Sequence, residues 1–176
     1  MRAQLDDAHE RGEPVAALWA SEETIYGRYG YGMAALSGEV EIRRVYGAFR
    51  KAPEHGGSFR LLSRDEALEA IPPVYARVAA ETPGMFARPR EWWEGRALHD
   101  SEFRRDGAGE MVHVLLERDG EGLAYAIYRL RMDFDAGSST GEVRVIEAMG
   151  ISPEAAAGIW RYLLDVDWME RVQAEL

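Results

Sequence analysis

The sequence predicts an α/β (α+β) fold, a mixed sheet flanked by helices, and three observations carry that reading. An apolar run, Pro14 to Ala20, stands between two short helical patterns. Three strand-like segments follow one another between residues 111 and 149. A capped helix start, Ser152-Pro153-Glu154, comes after them. With 176 residues, 47% of them apolar and five of them Trp, the chain can build a real core in one ordinary domain or two small or incomplete ones.

The elements follow in order. Met1 to Arg11 carries helix formers with Leu5, Ala8 and His9 on one side, and Gly12 stands where a left-handed C-terminal cap belongs. Val15 to Ala20 is unalternating and too short for a helix, which predicts a strand buried on both faces. Ser21 offers an N-cap hydroxyl, Glu22 and Glu23 suit the positive end of a helix dipole, and Gly30 closes a helix of barely two turns. Tyr31 to Val45 reads as two extended pieces joined near Ser37-Gly38, with Val40 and Ile42 alternating against Glu39, Glu41 and Arg43.

Lys51 to Ser58 is polar and turn-rich, and marks a boundary between domains at 1–56 and 57–176. Beyond it, Phe59 to Leu62 is a predicted strand and Ser63 an N-cap. The helix it opens is interrupted or restarted by Pro72-Pro73 and ended by Thr82-Pro83-Gly84. Arg90 to Arg105 reads as helical. Strands are predicted at Met111 to Leu116, Leu123 to Phe134 and Glu142 to Met149, and a final helix carries Ile159, Trp160 and Leu163.

Composition excludes several function classes. Lys plus Arg number 21 against 31 Asp plus Glu, a formal charge of −10, which argues against nucleic acid or an anionic membrane as partner. Cysteine is absent, so disulfides, thiolate metal sites and Cys nucleophiles are excluded, and the chain suits a reducing cytoplasm. Apolar runs are too short to span a bilayer. Only Lys51 is lysine and asparagine is missing, a bias that reads as GC-rich coding more than as selection for arginine forks.

Candidate chemistry narrows quickly. His9, His55, His99 and His113 share no metal-ligand spacing, so no metal is expected. There is no Gly-x-Ser-x-Gly elbow. The informative stretch is Leu18 to Gly32, where an apolar strand runs into a capped short helix and brings Ser21 to the carboxyl end of a sheet, the place where open α/β sheets bind ligands. Tyr26 follows in the next turn. A phenol is protonated at neutral pH and can donate, and the same ring can equally be an aromatic anchor beside glycines.

Gly12-Glu13-Pro14-Val15-Ala16-Ala17-Leu18-Trp19-Ala20-Ser21-Glu22, continuing through Ile25-Tyr26-Gly27-Arg28 to Gly30-Tyr31-Gly32, closely resembles the signature of the enhanced-intracellular-survival (Eis-like) branch of the GCN5-related N-acetyltransferases, the GNAT superfamily. Thr82-Pro83-Gly84 with Arg88 and Trp93, Tyr125 to Arg129, and Trp160 to Asp167 are similar to that branch's second, non-catalytic domain. The resemblance implies a GNAT-like mixed sheet, acetyl-CoA as cosubstrate, a small-molecule amine of the aminoglycoside, polyamine or lysine type as acceptor, and a homo-oligomer in the full-length form. It implies Tyr26 as the acid that protonates the departing CoA thiolate, with Ser21 and Glu22 against the cofactor.

It also implies parts outside this chain. The family's Arg-Arg-x-Gly pyrophosphate loop precedes the helix that begins here at Met1, and its carboxy-terminal general base lies beyond Leu176. The expectation is therefore a central segment of an acetyltransferase, inactive alone: the later half of a first domain and most of a second. A non-catalytic interaction or oligomerisation module, or a decayed copy, is the alternative. Glu147 to Glu154 offers no arginine pair for phosphates, so the second domain is expected to be a scaffold.

Overall fold

A computed structural model describes residues 1–175, apart from the side chain of Glu23, and divides into two units, Met1–Ser37 and Gly38–Leu176. In the first, helix α1 (Arg2–Glu10) ends as its sequence predicts. Gly12 takes φ +71°, its N–H donates to the His9 carbonyl at 2.9 Å, and the Glu13 N–H donates to that of Ala8 at 3.0 Å. These are the two bonds of a Schellman motif.

Residues 15–20 are not the strand the sequence predicts. They carry no regular structure, and Val15 and Trp19 are 76% and 88% exposed. A strand exists only where a neighbour takes up its N–H and C=O groups, and among the described residues none pairs with this run. Helix α2 (Glu23–Tyr26) follows. A 3₁₀ turn at Gly27–Tyr29 continues it and ends on Gly30 at φ +88°, the stop the sequence predicts. The N-cap is Glu22 and not Ser21, and the expectation for the Glu23 carboxylate lies outside the described residues.

The second unit is built on a six-stranded sheet. Its strands are β1 (Glu39–Arg43), β2 (Ser58–Leu62), β3 (Val112–Arg118), β4 (Glu121–Arg131), β7 (Gly141–Gly150) and β8 (Met169–Glu175), and their spatial order is β1-β8-β7-β4-β3-β2. Two short strands, β5 (Phe134–Asp135) and β6 (Ser138–Ser139), form a separate hairpin. All pairs in the large sheet are antiparallel except β7 with β8, which run parallel. A helix, α5 (Pro153–Leu164), makes the crossover between those two. The sheet is thus mixed.

Two strand assignments differ from the sequence reading. Only the second extended piece of 31–45 is a strand, and it pairs with β8 from Glu39 opposite Glu175 to Arg43 opposite Arg171. The division between units therefore falls ahead of the turn-rich stretch at 51–58. Strand β8 itself is not visible in the sequence pattern, because its buried positions, Met169, Val172 and Ala174, keep neither a clean period of two nor a continuous run.

Strands β3 and β4 hold the core together because both faces are covered. Val114, Leu116, Ala124, Ala126 and Tyr128 point toward α5 and meet Ile159 and Leu163. Leu115, Tyr125 and Ile127 alternate to the other face, where helix α3 (Arg64–Glu81) supplies Ala67, Ile71, Val74 and Tyr75. Asp119 and Gly120, at φ +53° and +81°, make the tight turn between the strands.

Helix α3 opens with a full capping box between Ser63 and Glu66. It then runs unbroken through Pro72-Pro73, where an interruption is predicted. Proline inside a helix removes a backbone donor at a cost of about 3 kcal/mol or more. Burial of the flanking Ile71, Val74 and Tyr75 against the sheet offsets it. The predicted helix at 90–105 is broken instead: α4 (Arg90–Trp92) passes into a π turn at Trp93–Ala97, and Glu102–Arg104 is a separate 3₁₀ turn. Trp93 and Leu98 are drawn into the core beneath α3, a wider spacing than α-helical geometry allows.

Candidate active site

In the first unit the chain turns sharply at Ser21-Glu22 into α2, which lasts one turn. That brings the side chains on either side of the corner together, and the Ser21 and Tyr26 hydroxyls lie 3.2 Å apart, within hydrogen-bonding range. The Tyr31 ring stands edge-on to that of Tyr26, with centroids 6.4 Å apart. Glu22 has extended backbone, and its carboxylate caps nothing. The structure therefore joins two of the three sequence-predicted residues, Ser21 and Tyr26, and leaves Glu22 beside them. Two hydroxyls in contact can hand a proton to an adjoining atom and reorient afterwards. As a donor set they suit the thioester end of an acyl carrier. A helix of four residues is no seat for its phosphates.

The corresponding corner of the second unit, from β7 into α5, does not fit a phosphate at all. A Cβ on Gly150 would lie 2.4 Å from the Ala156 nitrogen, so strand and helix are already in contact. The Ser152 hydroxyl accepts from the Ala155 N–H and Pro153 stands at the first helical position. Glu154 takes its own N–H and the Ser152 hydroxyl, bonds that hold its carboxyl below the ordinary range. The N-terminal dipole is thus already opposed by a negative charge of the chain.

Among the described residues no group of His, Asp and Glu could hold a metal ion. His113 is buried in β3 with Nε2 unpartnered. Burial lowers its pKa below the usual value, against the opposing pull of the Leu62 backbone and Asp100.

The second unit carries an open cleft of about 560 Å³ beside α4 and β7. Arginines dominate its wall: Arg88, Arg96, Arg104, Arg105, Arg129 and Arg144, with Glu147 as the one lining carboxylate. Arg88 grips Glu147 through two bonds of 3.0 and 2.7 Å, and the Tyr125 phenol donates to the same carboxylate. Burial, followed by that neighbouring charge, raises the Tyr125 pKa far above the phenol range. Sequence reasoning does not single out this cleft. The crowding of arginine between 88 and 105 is the available signal, and an arginine-for-lysine bias over the whole chain masks it.

A family model described as an acetyltransferase (GNAT) domain matches residues 84–176, and a second model of the same description matches residues 1–34. An uncharacterized N-acetyltransferase of Streptomyces coelicolor is 40% identical over 174 residues, covering 98% of this chain and 42% of that protein. The N-acetyltransferase Eis of Mycobacterium tuberculosis is 34% identical over 181 residues, with 98% and 42% covered. Among solved structures, Eis1 of Mycobacterium abscessus superposes with a TM-score of 0.71 at 30% identity, over 98% of this chain and 41% of that one. A GCN5-related N-acetyltransferase of Anabaena variabilis shares the fold, with a TM-score of 0.76 at 16% identity, over 99% and 42%. The chain spans 42% of the length of these curated relatives.

Proposed function

We propose, since the chain belongs to the GNAT acetyltransferase family and is consistent with its Eis-like branch, that it is a segment of an amine N-acetyltransferase whose proton donor is Tyr26. The observation that carries the reading is the 3.2 Å contact between the Ser21 and Tyr26 hydroxyls at the corner into α2. Acetyl-CoA, when bound, supplies the acetyl group as a thioester. The Tyr26 Oη gives its proton to the sulfur as the carbon–sulfur bond breaks, and Ser21 holds the phenol in line and shares its hydrogen. Glu22, one residue on, lines the same corner. The free amine that accepts the acetyl group loses a proton as its carbon–nitrogen bond forms, that proton restores the Tyr26 phenol by way of solvent, and the acidic balance of the chain favours polyamine and aminoglycoside acceptors over anionic ones.

The second unit acts in this proposal as a scaffold, because its β7–α5 corner is filled by its own atoms. The described residues offer no cradle for a pyrophosphate, so the proposal includes no turnover by residues 1–176 alone. A cytoplasmic setting and a homo-oligomeric full-length protein complete it. No described helix is long and apolar enough to cross a membrane.

One observation favours a second reading, an interaction module. Trp19, Met33 and Leu36 of the first unit are exposed apolar side chains, the kind of surface that a partner covers.

The test is substitution within a chain that transfers acetyl groups and carries this segment. Tyr26→Phe is expected to lower kcat by about 100-fold, the ordinary contribution of a positioned general acid, with the KM for acetyl-CoA little changed. Equal kcat in variant and parent removes Tyr26 from the role.

A further inference from the structure

We propose that the arginine-walled cleft of the second unit is a binding site for a small organic anion in which an oxyanion is joined to a flat ring. The protein carries ten more acids than bases, yet six guanidiniums and one carboxylate face this space. The question is how much of that charge is already neutralised.

Four of the six have partners. Glu147 is spent on Arg88 and the Tyr125 phenol. Asp100 serves both Arg105 and Arg129, at 3.2 and 2.7 Å, and Arg144 leans on Glu142 at 2.5 Å and on Asp106 at the rim at 3.2 Å. Among the described residues no carboxylate pairs with Arg96 or Arg104. Both line the same wall, and Arg104 Nη1 donates to the Arg96 backbone carbonyl at 3.3 Å. Guanidiniums on one wall without an acid of their own are open to an anion, which gains charge-assisted hydrogen bonds there.

The floor offers a further cation. Arg129 is only 4% exposed, and Nη1 alone makes its bonds, to the Gly109 carbonyl and Asp100. Its guanidinium lines the cleft as a further positive charge, answered in part by Asp100. The wall also has an apolar part. Trp92 is 44% exposed, with the Arg96 guanidinium 5.1 Å from its ring centre, and Met111 and Ile146 lie nearby in the lining. A flat ring against the exposed part of this indole has its oxyanion on the same wall as Arg96 and Arg104. The cleft volume suits a ligand of that size.

Calorimetry on residues 1–176 tests this with four probes. Adenosine monophosphate and benzoate carry ring and oxyanion, as phosphate ester and carboxylate; adenosine and inorganic phosphate carry one half each. At least one ringed anion is expected to bind saturably, about tenfold or more tighter than either half-ligand, and to weaken with added salt. Which of the two binds distinguishes phosphate from carboxylate recognition. The double substitution R96A/R104A, at exposed positions that leave the core alone, is expected to weaken it by about tenfold or more. W92L is expected to cost less, with the circular dichroism of both variants unchanged. Failure of both ringed anions to saturate overturns the proposal. So does binding that survives R96A/R104A, or adenosine binding as tightly as its phosphate.

Discussion

Arg88 and Glu147 are joined by two parallel hydrogen bonds of 3.0 and 2.7 Å, and the same guanidinium lies 4.0 Å from the centre of the Tyr75 ring and 5.0 Å from that of Trp93. Arg88 thereby ties the loop before α4 to strand β7 through a fork and two aromatic faces, all largely withdrawn from water. Lysine has neither the fork nor the flat cation. Breaking a fully buried pair from one side costs about 3–5 kcal/mol, because the other charge is left alone, and the cost here is smaller because both side chains keep some contact with water. Arg88→Ala and Glu147→Gln are each expected to be destabilising, and the double variant to lose less than their sum. Urea unfolding of the four chains measures the coupling, and additivity within about 0.5 kcal/mol refutes it.

His113 sets a pH dependence of stability. Burial, with Arg64 and Arg129 nearby, lowers its pKa in the folded state, against the opposing pull of the Leu62 backbone and Asp100. The unfolded chain, with an ordinary value of about 6.5, takes up the proton first. Its contribution is therefore whole above about pH 6.5 and is lost as the pH falls below that value. His113→Leu is expected to remove that loss. Urea midpoints of parent and variant at pH 7.5 and 5.5 show it as a smaller drop in the variant, and equal drops count against it.

Gly150 is a packing requirement. Its absent Cβ would sit 2.4 Å from the Ala156 nitrogen and 2.8 Å from the Ala155 carbonyl carbon, backbone atoms that cannot step aside. Gly150→Ala is expected to cost about 1–3 kcal/mol by thermal or urea unfolding, the usual range for overpacking. An unchanged midpoint would mean that β7 and α5 separate freely.

Amide exchange is expected to divide the chain. Residues 15–20 lie outside any strand, whereas β4 is paired on both sides and its middle is buried. The amides of Val15 to Ala20 are expected to exchange faster than those of Leu123 to Leu130 by several orders of magnitude. Equal protection would show that the apolar run has found a partner strand.

Much of this architecture is legible in the residues themselves. Ser63 with Glu66, Ser152 with Pro153, Gly12 and Gly30 mark helix ends through interactions that reach no further than a few positions. Strands β3 and β4 declare themselves by continuous apolar stretches around Asp119-Gly120. The Ser21–Tyr26 contact is foreseeable for the same reason, since one helical turn is enough to close it.

What only the tertiary structure decided are the outcomes that depend on a distant neighbour. Val15 to Ala20 has the composition of a buried strand, but pairing requires another strand at its side, and composition does not supply one. Glu39 to Arg43 has weaker credentials and becomes a strand because β8 lies within hydrogen-bonding reach. Pro72-Pro73 stays helical because the sheet below rewards burial of Ile71, Val74 and Tyr75. The arginine cleft gathers side chains from α4 and its following turns, β4 and β7, between 88 and 147 in the chain. Local propensity governs the segments that close on themselves, while pairing and charge clustering belong to the assembled sheet.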